Sequence, residues 1–468
     1  MRSTSVEELV TATGGRLLCG APTASMSGLS TDSRTLEAGE LYVPLKGERF
    51  DGHAFLTGAA ARGAAGCLVA RGHSAEVEEF RRATEGAFVV EVADTLRALG
   101  DLAAHHIRRS GALVVAVTGS AGKTTTKEMI ARILIRTTTR GVAHTPGNYN
   151  NLVGLPLTVF AARGDEGFLV LEMGMNSRGE IARLAEISAP DVGVITNVGE
   201  AHIGHLGSLE EVGRAKGELF EALGPSAVAV VNEDDPLVRA AHARGCRARR
   251  RSFGRHAAAT VQVTNEHFEP DGFPRATLVV EGRPVALKLG VLGAHNLLNA
   301  AAAVACTLDW CAPHEAVAAL ESYQGTVNRM QPIAWRGATL LSDCYNASPD
   351  TTLAALETLA ALPVAGRRVA VLGDMLELGD HSVAAHQRVG RRVAELRFDA
   401  LFAVGRFAST TVAAAARAGM PQNRLEAVED GLMLARPLEQ LVAEGDWILI
   451  KGSRGVKLER LLAALSES

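Results

Sequence analysis

Short apolar runs alternate with longer stretches of helical period over most of this chain. The clearest run, Leu113-Val-Val-Ala-Val117, is uncharged and β-branched, which predicts a strand buried on both faces. A glycine-rich turn follows it, and then Met129, Ile130, Ile133 and Leu134 fall on one face of a helix. Phe168-Leu-Val-Leu171 and Val192-Gly-Val-Ile195 predict further buried strands. Between residues 260 and 290 the pattern changes to strict alternation broken by Pro and Gly, a short antiparallel excursion. Gly293-Ala-His-Asn-Leu-Leu-Asn299 then opens a helix. Beyond residue 326 strand and helix repeat again, with strands expected at 338–341, 369–372, 400–404, 424–428 and 447–450. In the first hundred residues, segments 40–45 and 66–70 are strand-like, and 94–108 predicts a helix carrying Leu96, Leu99, Leu102 and Ala103 on one side.

Composition narrows the class. A chain of 468 residues, 47% of them apolar, has too much core for one ordinary domain. The 48 basic and 52 acidic residues leave a formal charge of −4, which argues against a nucleic-acid footprint over the whole surface and against a disordered chain. Arg247, Arg249, Arg250, Arg251 and Arg255 make one local basic run, expected to be a solvated strand edge or turn. The six cysteines form no C-x-x-C pair, as expected of free thiols. The first eight residues contain no apolar h-region, so no secretory signal is expected. No uncharged apolar run reaches the ~18 residues of a membrane span. The expectation is a soluble, cytoplasmic protein.

The candidate chemistry centres on Gly119-Ser-Ala-Gly-Lys-Thr-Thr125 between the first strand and its helix. Strand, Gly-rich turn, Lys-Thr and helix make a phosphate cradle. Backbone N–H groups and the helix N-terminus hold phosphates, Lys123 adds a charge, and the Thr124 hydroxyl suits Mg²⁺. Only two residues separate the glycines, against four in the general P-loop. Polar residues just past parallel strands converge on one crevice. Glu172 and His202 are so placed. Glu172 fits a Mg²⁺ partner; His202 by itself is as consistent with a structural imidazole as with a ligand. Asn296 and Asn299 on the first turns of their helix fit either base reading or capping. A second polar edge is expected past the later strands, at Asp343-Cys-Tyr-Asn346, Gly373-Asp-Met375, Gly405-Arg406 and Lys451-Gly-Ser-Arg454.

Taken in order, these motifs resemble the Mur ligase family, ATP-dependent amide-bond-forming enzymes of peptidoglycan synthesis. Thr31-Asp-Ser-Arg34 with Leu45-Lys-Gly-Glu-Arg-Phe-Asp-Gly-His53 resembles the family's UDP-sugar domain. Gly147-Asn-Tyr-Asn-Asn151, Glu172-Met-Gly-Met-Asn176, Asn197-Val-Gly-Glu-Ala-His202, Ala215-Lys-Gly-Glu218, Asn328-Arg329 and Asp343-Cys-Tyr-Asn-Ala-Ser-Pro-Asp350 follow at family spacing. Leu372-Gly-Asp-Met-Leu-Glu-Leu-Gly379 and Lys451-Gly-Ser-Arg454 are similar to the branch that joins D-alanyl-D-alanine to UDP-N-acetylmuramoyl-tripeptide. The implied fold is α/β in three domains: a small α/β N-terminal domain (1–110) for the UDP-sugar, a central P-loop mononucleotide-binding parallel sheet (111–325), and a C-terminal Rossmann-like parallel sheet (326–468) that binds the amine and closes over ATP.

The resemblance also implies roles. Gly119, Ser120, Ala121, Gly122, Lys123, Thr124, Thr125, Asn296, Arg329 and Asp343 would bind ATP, with Asn296 at adenine and Asp343 at ribose. Thr124 and Glu172 would hold one Mg²⁺, and His202 and a carbamate on Lys216 a second. Lys123, Glu172, His202, Lys216 and Arg329 would be catalytic. Asp32, Ser33, Arg34, Asn148, Asn151, Tyr345, Asn346 and Asp374 would touch the substrates. A monomer is expected, with no nucleic-acid partner. Three positions depart from the family pattern: Asn328 where Gly is common, Ser342 where a second Asp is usual, and Ser348 where Asn is common.

Overall fold

The computed structural model describes residues 3–466. Three sheets organise them, with a small two-stranded pairing of Thr4–Ser5 and Ser25–Met26 beside the first. The N-terminal sheet is five-stranded and mixed. Gly28–Ser30, Glu40–Tyr42, Gly66–Ala70 and Phe88–Val92 run parallel, and Arg16–Cys19 closes one edge antiparallel. The helix expected at 94–108 is Thr95–Ser110, started by the Asp94 carboxylate on the Arg97 N–H and stopped by Gly111 at φ 67°.

The central sheet has nine strands. Leu113–Thr118 lies between Phe168–Glu172 and Val192–Ile195, parallel to both. The parallel pairing extends through Val228–Asn232 and Arg249–Gly254 to Val261–Phe268. From there Pro274–Val280 and Arg283–Lys288 return antiparallel, the excursion that the alternation at 260–290 predicts. The chain leaves Leu113–Thr118 toward one side of the sheet and later builds on the other. That reversal opens a crevice at the strand C-termini. Val115 and Val117 pack on the P-loop helix Lys123–Thr137 and on His295–Thr307. Val114 and Ala116 face the opposite way into a core that continues into the N-terminal domain.

The basic run needs a correction in its placement in the sheet and at Arg251. Arg249–Gly254 is an internal strand, not an edge or a turn. Arg251 is buried, donating to the Ala305 carbonyl at 2.8 Å and to Asp309 at 2.7 Å. Arg249 reaches Asp309, Arg250 pairs with Glu233, and Arg255 takes Glu266. Arg247, Arg249, Arg250 and Arg255 are exposed, as a solvated run should be, and the Asp309 carboxylate makes the one buried arginine tolerable.

The third sheet has six strands. Ala338–Asp343, Trp447–Lys451, Arg368–Gly373, Ala400–Val404 and Leu425–Val428 are parallel in that spatial order. The expectation of a wholly parallel sheet needs one correction, since Gln331–Trp335 is an antiparallel edge strand. It contains Pro332, which an edge position accommodates. Because the last strand inserts between Ala338–Asp343 and Arg368–Gly373, the loops after these three strands are neighbours. No helix among the described residues is long and apolar enough to cross a membrane.

Candidate active site

The P-loop is held from behind by the segment after Val192–Ile195. The Ser120 N–H donates to the Asn197 carbonyl at 3.0 Å. The Asn197 side chain pairs with both backbone groups of Ala121, at 2.9 and 3.1 Å. Ser120 Oγ is bonded to both backbone groups of Gly199. Gly119 and Gly122 have φ of +150° and +78°, and a Cβ at either would meet Thr196 Oγ1 at 1.8 Å or Asn299 Oδ1 at 2.4 Å. Lys123, half-buried, folds back to donate to the Gly119 carbonyl at 2.8 Å. Burial pulls its ammonium below the ordinary lysine value; Glu172 opposes that and Arg329 adds to it.

Glu172 sits at the end of its strand with every polar group engaged. Oε2 accepts from Thr124 Oγ1 at 2.7 Å, Oε1 accepts from Asn150 Nδ2 at 2.8 Å, and its N–H donates to Thr145 Oγ1 at 2.9 Å. Arg329 crosses from the third domain and donates to Thr124 Oγ1 at 2.9 Å, while its guanidinium lies 4.1 Å from the Tyr345 ring centre. Its Nε is buried without a partner. A buried, unsatisfied cationic donor beside a helix N-terminus suits an anionic ligand.

Lys216 is 1% exposed on helix Leu209–Ala222. Among the described residues its ammonium has no hydrogen-bond or ion-pair partner. Burial and the nearby Lys123 charge hold it well below the ordinary lysine value, so the neutral amine is favoured. His202 faces the third domain, with Nδ1 2.8 Å from Glu377 Oε2. The two are backed by Gly204 N–H on the Glu377 carbonyl at 3.1 Å, and by Arg388 paired bidentately with Glu200.

Asn296 is buried, donating to the Leu292 carbonyl and accepting from Asn299. Asp343 pairs with the buried Lys451 at 2.7 Å. Asp374 is given a supporting part, since its oxygens accept the N–H groups of Arg406 and Phe407 at 2.8 and 2.9 Å. Asn151 Oδ1 accepts from the N–H groups of Val153 and Gly154, and Asn148 is exposed nearby. Asn346 accepts from the Ala347 N–H. In the N-terminal domain Asp32 and Arg34 form a forked pair on the surface, which lowers the Asp32 carboxyl to about 2; Ser33 lies between them.

Known families match this chain in three consecutive blocks. The Mur ligase family catalytic domain covers residues 25–107, the Mur ligase middle domain 117–307, and the Mur ligase glutamate ligase domain 328–454. The UDP-N-acetylmuramoyl-tripeptide–D-alanyl-D-alanine ligase of Bacillus subtilis is 36% identical over 94% of this chain and 93% of its own. The chain belongs to the Mur ligase family. The Escherichia coli ligase of the same description is 35% identical over 95% of this chain and 94% of its own. A crystal structure of MurF from Acinetobacter baumannii superposes with a TM-score of 0.89 at 32% identity, covering 100% of both chains. MurF from Thermotoga maritima in complex with ADP gives 0.81 at 29% identity, covering 94% of this chain and 97% of that one.

The three departures from the Mur ligase pattern have local explanations. Asn328 adopts φ +59°, the left-handed conformation that glycine reaches freely and asparagine tolerates best among other residues. Ser342, fully buried, donates its hydroxyl to Asn328 Oδ1 at 2.9 Å, so the first two departures answer each other. Ser348 caps helix Pro349–Ala361, closing a capping box with Thr351.

Reading motifs alone missed four supporting residues: Asn150 on Glu172, Asn197 behind the P-loop, Thr145, and Lys127. The last is wholly buried, with Nζ 2.5 Å from the Thr145 carbonyl and 2.6 Å from Glu128. All four lie in or beside motifs visible in the chain. Which of three asparagines within residues 148–151 faces Glu172 depends on backbone direction, which residue spacing does not encode.

Proposed function

We propose that this enzyme joins D-alanyl-D-alanine to UDP-N-acetylmuramoyl-tripeptide at the expense of ATP, the activity by which its full-length relatives are named. The observation that carries the mechanism is the convergence of Thr124, Glu172 and Arg329 at the P-loop mouth, beside the unpartnered Lys216. A substrate carboxylate must approach a polyanionic phosphate, so cations have to gather there first. Lys123 and Arg329 supply two. The carboxylate oxygen attacks the γ-phosphorus, ADP leaves, and an acyl phosphate forms. The dipeptide amine, as its free base, then attacks the acyl carbon. The tetrahedral adduct loses the amine proton and expels phosphate, leaving the amide.

The donor set fits Mg²⁺. Hydroxyl and carboxylate oxygens at Thr124 and Glu172 would hold one ion. An ammonium cannot ligate a metal, but the neutral amine favoured at Lys216 can add CO₂, and the carbamate oxygens would serve a second ion with His202. Glu377 on Nδ1 leaves His202 Nε2 for that task. When bound, Mg²⁺ neutralises the charge that develops on the transferring phosphoryl oxygens. Water has to be kept from the acyl phosphate, and the contacts of Arg329, Glu377 and Arg388 with the central domain support a third domain that covers it. Its nucleotide substrates assign the reaction to the cytoplasm.

A phosphate-release assay with amines offered singly tests the reading. UDP-sugar tripeptide with D-alanyl-D-alanine should be fastest. Faster release from UDP-sugar dipeptide with diaminopimelate would move the enzyme to another branch. Steady release with no amine at all would make it an ATPase.

A further inference from the structure

The loops after Ala338–Asp343, Arg368–Gly373 and Trp447–Lys451 form one wall. Ser453 stitches them: its hydroxyl donates to the Ala347 carbonyl and accepts from the Leu376 N–H, and its own N–H donates to the Asp374 carbonyl. Between this wall and His202 of the central domain lies a cavity of about 100 Å³, bordered by Asn346, Ser348, Glu377 and Arg454. Gly455 lets the Arg454 loop sit close, since a Cβ there would be 2.8 Å from Leu376 Cδ1.

The charges around this cavity are unequally engaged. Glu377 is taken by His202, Lys451 by Asp343 and the Asn346 carbonyl, Arg388 by Glu200, and Arg329 by Thr124. Arg454 differs. Among the described residues its guanidinium meets no carboxylate and no hydrogen-bond acceptor, and its one ring contact is Tyr345 at 5.9 Å. The cavity therefore has His202 of the central domain on one wall and one uncommitted, solvent-exposed cation on the other.

A dipeptide that reacts through its amine must present the nitrogen toward the P-loop side. Its carboxylate then points to the third-domain wall. We propose that Arg454 binds the terminal carboxylate of the amine substrate and makes the enzyme selective for a free C-terminal acid. This rests on the ligase reading above. A planar guanidinium can hold both carboxylate oxygens at once, which fixes the dipeptide end to end across the cavity.

The test compares D-alanyl-D-alanine with D-alanyl-D-alaninamide, in wild type, Arg454→Gln and Arg454→Lys, by phosphate release. Losing a charge-assisted pair should cost the amide about 10- to 100-fold in kcat/KM with wild type. Arg454→Gln should bring acid and amide within about threefold of each other by weakening only the acid, and Arg454→Lys should keep part of the preference. KM for ATP and for the UDP-sugar peptide should not move. A glutamine variant that keeps the full preference for the acid overturns the proposal, as does a wild type that uses both amines equally. If D-alanyl-D-alanine releases no phosphate with wild type, the ligase reading itself falls, and this inference with it.

Discussion

The two ligand-facing edges are built differently. At the central edge most side chains are committed, Lys216 and the Arg329 Nε apart. Ala121 is gripped by Asn197, Glu172 by Thr124 and Asn150, and Lys123 rests on its own loop. The third-domain edge commits its backbone through Ser453 but leaves Arg454 free over an open cavity. The difference follows from what each edge receives. Phosphates present the same oxygens in every ATP, so a rigid ring of N–H groups and cations serves, and rigidity costs nothing at the moment of reaction. An amine substrate has to be told from its relatives, which needs side chains that act only when it is present.

The largest effect that would sharpen this contrast is at the rigid edge. Lys123→Ala should lower kcat by about a thousandfold, as removal of a preorganised charge does, with an unchanged thermal midpoint. Turnover near wild type at saturating ATP would show that the cradle does not need its lysine. Next is Lys216→Ala, for which about a hundredfold loss is expected from an absent anionic ligand. Short carboxylic acids should restore part of the rate, because they replace the carbamate. No rescue by any acid, together with an unmodified amine in a nucleotide-bound crystal at neutral pH, would remove the carbamate from the account.

Smaller effects probe the joint between the edges. Asn328 precedes Arg329 with a left-handed backbone, at φ +59°. Asn328→Gly should stay within about threefold of wild type in kcat, whereas Asn328→Val, β-branched at φ +59°, should cost about tenfold through misplacement of Arg329. Equal rates for the two variants would mean that the backbone there is not what aims the arginine. Arg388→Ala removes a partly exposed ion pair with Glu200. Such pairs contribute about 1 kcal/mol or less, so kcat should change less than about fivefold. A much larger loss would make that pair the main hold on domain closure.

Much of this was legible in the chain because the physics is local. A β-branched run followed by Gly-Ser-Ala-Gly-Lys-Thr can hardly be anything but a strand entering a phosphate cradle, and the alternation at 260–290 announces its antiparallel strands. The edge strand Gln331–Trp335 was not legible, being five residues long and holding a proline. The basic run is solvated as its charge suggests except at Arg251, whose partner Asp309 comes from another element that charge along one segment does not reveal. The departures at 328 and 342 stand fourteen residues apart in the sequence and look unrelated there. In space they are one hydrogen bond.

The central claim is that the rigid edge makes an acyl phosphate which an amine held at the open edge then consumes. An oxygen-isotope transfer experiment tests it most directly. UDP-sugar tripeptide labelled with ¹⁸O in its reacting carboxylate is turned over with ATP and D-alanyl-D-alanine, and the inorganic phosphate is analysed by mass. Attack of that carboxylate on the γ-phosphorus, followed by loss of phosphate from the tetrahedral adduct, predicts one ¹⁸O in each phosphate released. Phosphate carrying no label, with amide product formed, would contradict it.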